Sequence, residues 1–115
     1  MRNRANIAKM RYFTKKILNY TKGYDYDAFR KNSILVEACI FNLSQIGEFA
    51  HKVSGQYQKT HTDVPWRTLY GLRNQIVHEY EGVNLTVVWD IISEDLPRLA
   101  EKFDQLIESY NTPKD

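Results

Sequence analysis

Apolar residues recur along most of this chain at steps of three and four, and no stretch shows the strict alternation of a half-buried strand. That periodicity restricts the fold to helices packed through apolar stripes. Ile7, Met10, Phe13, Ile17 and Tyr20 form the first stripe, and Gly23 marks a stop. Residues 24–32 hold turn residues and one short helix containing Tyr26, Phe29 and Arg30. Asn32 or Ser33 is placed to cap a long helix running to about Val53. The apolar arc of that helix is wide, taking in Ile34, Leu35, Cys39, Phe41, Leu43, Ile46 and Ala50, which predicts a central helix packed on more than one side.

Ser54 to Pro65 is polar and reads as a loop. Pro65 suits the start of the next helix, where a missing N–H costs little, and that helix is expected from Trp66 to about Tyr80. Gly82 signals its end, and Asn84 or Thr86 caps the last helix. There Val88, Ile91, Ile92, Leu96, Leu99, Phe103, Leu106 and Tyr110 keep helical spacing. Pro97 lies inside it and is expected to kink it, because its ring clashes with the Ser93 carbonyl. The prediction is an all-α antiparallel bundle of four to five helices with a kinked last helix, residues 1–115 forming a single domain.

Composition narrows the function classes. No run of about 18 apolar residues offers a membrane span, and the N-terminus lacks the apolar core of a secretory leader, so a cytoplasmic protein with no membrane association is expected. Cys39 is the one cysteine and sits among apolar residues, as inert core would. His51 and His61 lack a paired ligand pattern, so no metal and no cofactor is expected. The net charge of +2 conceals an uneven distribution. Residues 1–22 carry Arg2, Arg4, Lys9, Arg11, Lys15, Lys16 and Lys22 with no acid, whereas residues 79–115 are strongly acidic. Two readings stay open: the two ends pack together and attract each other, or the basic end faces an anionic partner such as RNA.

One stretch does not read as core-building: Gly71-Leu72-Arg73-Asn74-Gln75-Ile76-Val77-His78-Glu79-Tyr80. Arg73 offers a permanent charge and a planar fork of donors suited to phosphate. His78 can take or give a proton near neutral pH. Together such groups can run phosphodiester cleavage without metal, one handling the proton of a ribose 2′-OH or of the leaving oxygen, the other stabilising charge on the phosphate. Five residues apart, they stand about 140° apart around an ideal helix. Asn74 and His78, four apart, share a face. The bland alternative is a solvated Arg and a His interacting with the helix C-terminus.

This stretch resembles the Arg-x4-His-x-Tyr pattern of the HepT-like toxin family within the HEPN superfamily, Arg73, His78 and Tyr80 fitting without a gap. Asn42-Leu43-Ser44-Gln45-Ile46-Gly47-Glu48-Phe49-Ala50 is similar to the family's central-helix segment, with Phe49 where the family often has Ala. Val64-Pro65-Trp66 resembles the start of its motif helix. Gly82-Val83-Asn84, Val88-Trp89 and Asp95-Leu96-Pro97 resemble its exit and last helix. The resemblance implies a HEPN-type bundle acting as a metal-independent endoribonuclease, a homodimer, and the toxin partner of a small nucleotidyltransferase antitoxin. It makes Arg73 and His78 catalytic by motif position and Asn74 a supporting residue that orients His78. It makes Tyr80 the tyrosine that the antitoxin AMPylates, where a merely structural tyrosine would pack on the last helix. The rival reading is a non-catalytic HEPN module that binds a nucleotide or the nucleotidyltransferase without cutting RNA. Trp66 and Trp89 read as core or interface anchors. Gly47 reads as a site of close helix approach, with Glu48 a candidate partner for Arg73.

Overall fold

The computed structural model describes residues 2–71 and 84–111, with the side chain of Asn111 left aside. Among these residues every regular element is helical. The order is α1 (Arg2–Tyr20), α2 (Tyr26–Lys31), α3 (Ser33–Lys52), α4 (Gly55–Thr60), α5 (of which residues 66–71 are described), α6 (Leu85–Asp90) and α7 (Leu96–Asn111), the last two joined by a π-helical turn at Ile91–Asp95. Arg73, Asn74, His78 and Tyr80 lie outside the described residues.

The boundaries follow from local chemistry. Gly23 takes φ +82°, a backbone conformation that a Cβ disfavours, and so ends the α1 segment. The Asp25 carboxylate accepts from the Ala28 N–H at 2.8 Å and starts α2. Asn32 closes α2 with its N–H on the Phe29 carbonyl and opens α3 with its Oδ1, which accepts from the Leu35 N–H at 3.0 Å. One residue therefore serves two helix ends. Asn32→Ala should lower unfolding free energy by about 1 kcal/mol, read as a lower urea midpoint at unchanged slope. Asn84 caps α6, its Oδ1 accepting from the Thr86 and Val87 N–H groups at 2.9 and 3.4 Å.

The segment expected to be loop contains a helix. Ser54 caps α4 through its Oγ, which accepts from the Tyr57 N–H, and Gln58 donates from its side chain to the Val53 carbonyl at 2.9 Å. The Asn3 side chain bonds both Ser54 Oγ and Ser54 N–H, at 3.1 and 3.0 Å, so α1 holds the start of α4 in place. Tertiary anchoring decides the outcome for six residues with little apolar content of their own.

The core lies where α1, α3 and α7 meet, with Met10, Ile17, Leu43, Ile46, Leu96 and Phe103 fully buried. Thr14 is buried among them and satisfies its hydroxyl on the Met10 carbonyl at 2.7 Å. At one end Phe29 packs on Trp89, ring centroids 4.9 Å apart, and the Thr86 hydroxyl donates to Tyr26 Oη, which ties α2 to α6. Ile34 and Phe41 depart from expectation: they are 79% and 59% exposed, although α3 periodicity places them with the core set. Around Pro97 the helix widens. The Leu96 N–H bonds the Ile91 carbonyl, five residues back, in the turn that precedes the proline. A wider turn accommodates a residue that has no N–H to give and whose ring crowds the carbonyl four residues earlier.

Candidate functional site

The catalytic, supporting and modification residues expected from the sequence are Arg73, Asn74, His78 and Tyr80, all outside the described residues. The structure does describe how the helix leading into them is held. Pro65 precedes the first helical residue and its carbonyl accepts from the Leu69 N–H at 3.1 Å. Trp66 is buried and its indole N–H donates to the His61 carbonyl at 2.9 Å. Val64 and Leu69 are buried beside it. Tyr70, one residue before Gly71, stands edge-on to His51 of α3 with ring centroids 5.3 Å apart, and its hydroxyl accepts a hydrogen bond from the Gln58 side chain. The helix thus starts from a fixed position against α3 and α4. The α3 segment ahead of His51 carries Glu48 half-buried and Gly47 buried.

An aromatic cluster surrounds this start and was not foreseen. The Tyr57 ring stacks on His61 with centroids 3.9 Å apart, lies parallel to Tyr110 at 6.1 Å and meets Trp66 edge-on at 6.4 Å. The contributing residues come from α4, the α4–α5 connection, α5 and the end of α7. Burial is the main cause that pushes the Tyr57 phenol well above its ordinary pKa, helped by Tyr110, so it stays protonated. The available signal was the density of aromatic residues in a polar stretch, and a loop assignment masks it.

Beside this cluster an open groove of about 390 Å³ is lined by Asp63, Pro65, Asp95, Arg98, Leu99 and Lys102. Lys102 forms an ion pair with Asp63, and Arg98 Nη2 lies 3.4 Å from Asp95 Oδ1. The bound ammonium of Lys102 is the main cause that holds Asp63 below its ordinary value of 3.8. A carboxylate with a depressed folded pKa contributes stability above its unfolded pKa and loses it as pH falls through the folded value. The pair is largely exposed, so its contribution is under about 1 kcal/mol. Lys102→Met should therefore lower stability slightly at neutral pH, and the difference should shrink as pH falls below the ordinary Asp63 value, as urea titrations at several pH values would show.

Cys39 is fully buried, and burial raises its thiol to about 11, as an inert core residue requires. Trp66 is buried and Trp89 half-buried against Phe29, in keeping with anchoring roles. Among the described residues no helix is long and apolar enough to cross a membrane.

The architecture is that of an all-α bundle of the HEPN type. The family model described as "Ribonuclease HepT-like" matches residues 10–106, and the chain belongs to that family. Among similar proteins, one from Methanocaldococcus jannaschii is 31% identical over 88 residues, covering 76% of this chain and 81% of its own. One from Caldanaerobacter subterraneus subsp. tengcongensis is 28% identical over 92 residues, covering 80% and 82%. Both are provisionally named RNases. A Thermococcus cleftensis protein named "Probable ribonuclease HepT" is 30% identical over 90 residues, covering 78% and 82%. No solved structure matches the chain significantly.

Proposed function

We propose that this protein is a metal-independent endoribonuclease, the toxin of a pair whose antitoxin is a small nucleotidyltransferase. The supporting observation is the family match across residues 10–106, which contains Arg73-x4-His78-x-Tyr80 in full. In this reading His78 moves the proton of the attacking 2′-OH or of the departing 5′ oxygen. Arg73 donates to the non-bridging oxygens as the phosphate becomes crowded. The 2′ oxygen bonds to phosphorus, the P–O5′ bond breaks, and the products are a 2′,3′-cyclic phosphate and a 5′-hydroxyl. Asn74 orients His78 from one turn away. A homodimer brings two motif helices to one cleft and supplies the convergence that a 140° separation denies a single helix. The protein is read as cytoplasmic, with residues 1–115 as one domain.

Tyr80 is the control point. Its phenol attacks the α-phosphate of ATP in the antitoxin's active site and releases pyrophosphate, leaving a bulky anion where RNA phosphate must sit. Cleavage of RNA by the purified protein in EDTA tests the nuclease reading. RNA left intact alongside tight binding of the nucleotidyltransferase would favour a binding module instead. Incubation with that partner and ATP should raise the intact mass by whole AMP units in the parent and not in Tyr80→Phe. An unchanged parental mass, or a rise in the variant, removes the control-point role.

A further inference from the structure

The basic N-terminal segment forms one continuous helix from Arg2 to Tyr20, and one acid of α7 meets two of its cations. Asp104 of α7 takes Lys15 Nζ at 2.9 and 3.2 Å and Arg11 Nη1 at 3.5 Å. Ends of opposite charge do pack together, as one of the two sequence readings expects, with Asp104 bridging two cations of α1. The two cations carry more donors than one carboxylate can accept, since a lysine has three and an arginine five. Next to them Lys16 lies between two tyrosines, its Nζ 5.3 Å from the Tyr12 ring centroid and 5.8 Å from that of Tyr20. Both rings are exposed, Tyr12 by 54%. An open groove of about 370 Å³ runs along this face, lined by Ala8, Arg11, Tyr12, Lys15, Lys16 and Asn19.

Cations interleaved with exposed flat rings make the surface that single-stranded nucleic acid requires, with charge tracking the backbone and π faces taking bases without regard to sequence. Tyr12 and Tyr20 are eight residues apart, so their backbone positions are spaced by about 12 Å along the helix axis, and the rings lean toward the Lys16 ammonium between them. A second copy of the chain is the poorer occupant. A two-fold interface sets the same patch against itself, which would press Lys15 and Lys16 against their equivalents.

We propose that the Arg11–Tyr12–Lys15–Lys16–Tyr20 face of α1 binds a length of single-stranded RNA, phosphates on the cations and bases on the rings. It does so with residues other than the Arg73–Tyr80 motif. The assignment of RNA rests on the ribonuclease reading. Substrate gripped here is held while a neighbouring part of the same strand is cut, so the enzyme favours long unstructured RNA over short fragments. Asp104 competes with phosphate for Arg11 and Lys15 and sets the affinity.

The test measures binding of a fluorescein-labelled oligouridylate of about 15 nucleotides by anisotropy, in a His78→Ala background where cleavage does not intrude. Binding is therefore read independently of whether the motif cuts RNA. Lys16→Glu should weaken binding at least tenfold, and Lys16→Gln should weaken it less and lower the salt slope by about one. Tyr12→Ala should cost about tenfold through lost stacking. Asp104→Asn should tighten binding several-fold, which no loss of structure would do. The proposal is overturned if Lys16→Glu and Lys16→Gln both bind within twofold of the background protein while melting at its temperature, or if Asp104→Asn binds no tighter. It is overturned equally if these substitutions convert a dimer to monomer in sedimentation, since the face would then belong to a second copy.

Discussion

Replacing His78 by Ala should abolish RNA cleavage measured in EDTA, and replacing Arg73 by Ala should do the same. A positioned acid or base supplies about 10²- to 10⁴-fold, and one donor to the developing phosphate charge about 10²- to 10³-fold. The described core is built from apolar side chains, those of α1, α3 and α7 together with Phe29, Trp66, Leu69 and Val88, and replacing an Arg or a His by Ala removes none of them. Both variants should therefore melt close to the parent while cutting at least a hundredfold more slowly. The helical angle adds a sharper expectation. If Arg73 and His78 act from opposite subunits, mixing the two inactive variants regenerates some cleavage, because a mixed dimer retains one intact pair. Activity that EDTA abolishes would replace the metal-free reading with a metal-dependent one. Cleavage that survives both substitutions would remove the motif from catalysis. The products provide a further check, since attack by the 2′ oxygen leaves a cyclic phosphate that a water-driven nuclease does not.

The helices were legible because their ends carry strong local chemistry. Gly23, Asn32 and Asn84 act where the sequence places them, through a positive φ and two side-chain caps. Tertiary decisions were less legible. Ile34 and Phe41 share the spacing of core residues, and periodicity reports an apolar face without reporting whether anything covers it. The α4 sequence GQYQKT has little apolar content, and its helix depends on Ser54, Gln58 and a contact from Asn3, 51 residues away. Pro97 signalled an irregularity, but the π turn that takes it up needs the Ile91 carbonyl to find a donor one residue further on than usual. For the candidate site Arg73, His78 and Tyr80 point to a chemistry through the family resemblance, because an arginine and a histidine on one segment also suit a solvated face and a helix end. The aromatic anchoring by Tyr57, His61 and Trp66 was not legible, because those residues meet only once α4 forms. Charge counting revealed the imbalance between the ends but not that Asp104 would bridge Arg11 and Lys15.

Phe103→Ala should be the most damaging substitution in the described core. Phe103 is fully buried on α7, and with Phe29 it heads the largest side chains with no exposed surface. Truncation to Ala removes the transfer energy of the ring and leaves a cavity that packed helices close only in part, at about 3–5 kcal/mol. Total stability for a domain is about 5–15 kcal/mol, so the loss is a large share of the whole. At this chain length each kcal/mol shifts the midpoint by about 4 °C, which predicts a fall of about 12–20 °C by circular dichroism. Phe41→Ala is the informative control, the same chemical change on a ring that is 59% exposed. It should cost under about 1 kcal/mol, because little area leaves water when that ring folds. Equal losses at both positions would mean that Phe41 is covered in solution, which a concentration-dependent midpoint would confirm as association. The Phe103 variant should also loosen the ion pairs between α7 and α1. Asp104 is its chain neighbour, so a loosened α7 no longer holds that carboxylate against Arg11 and Lys15.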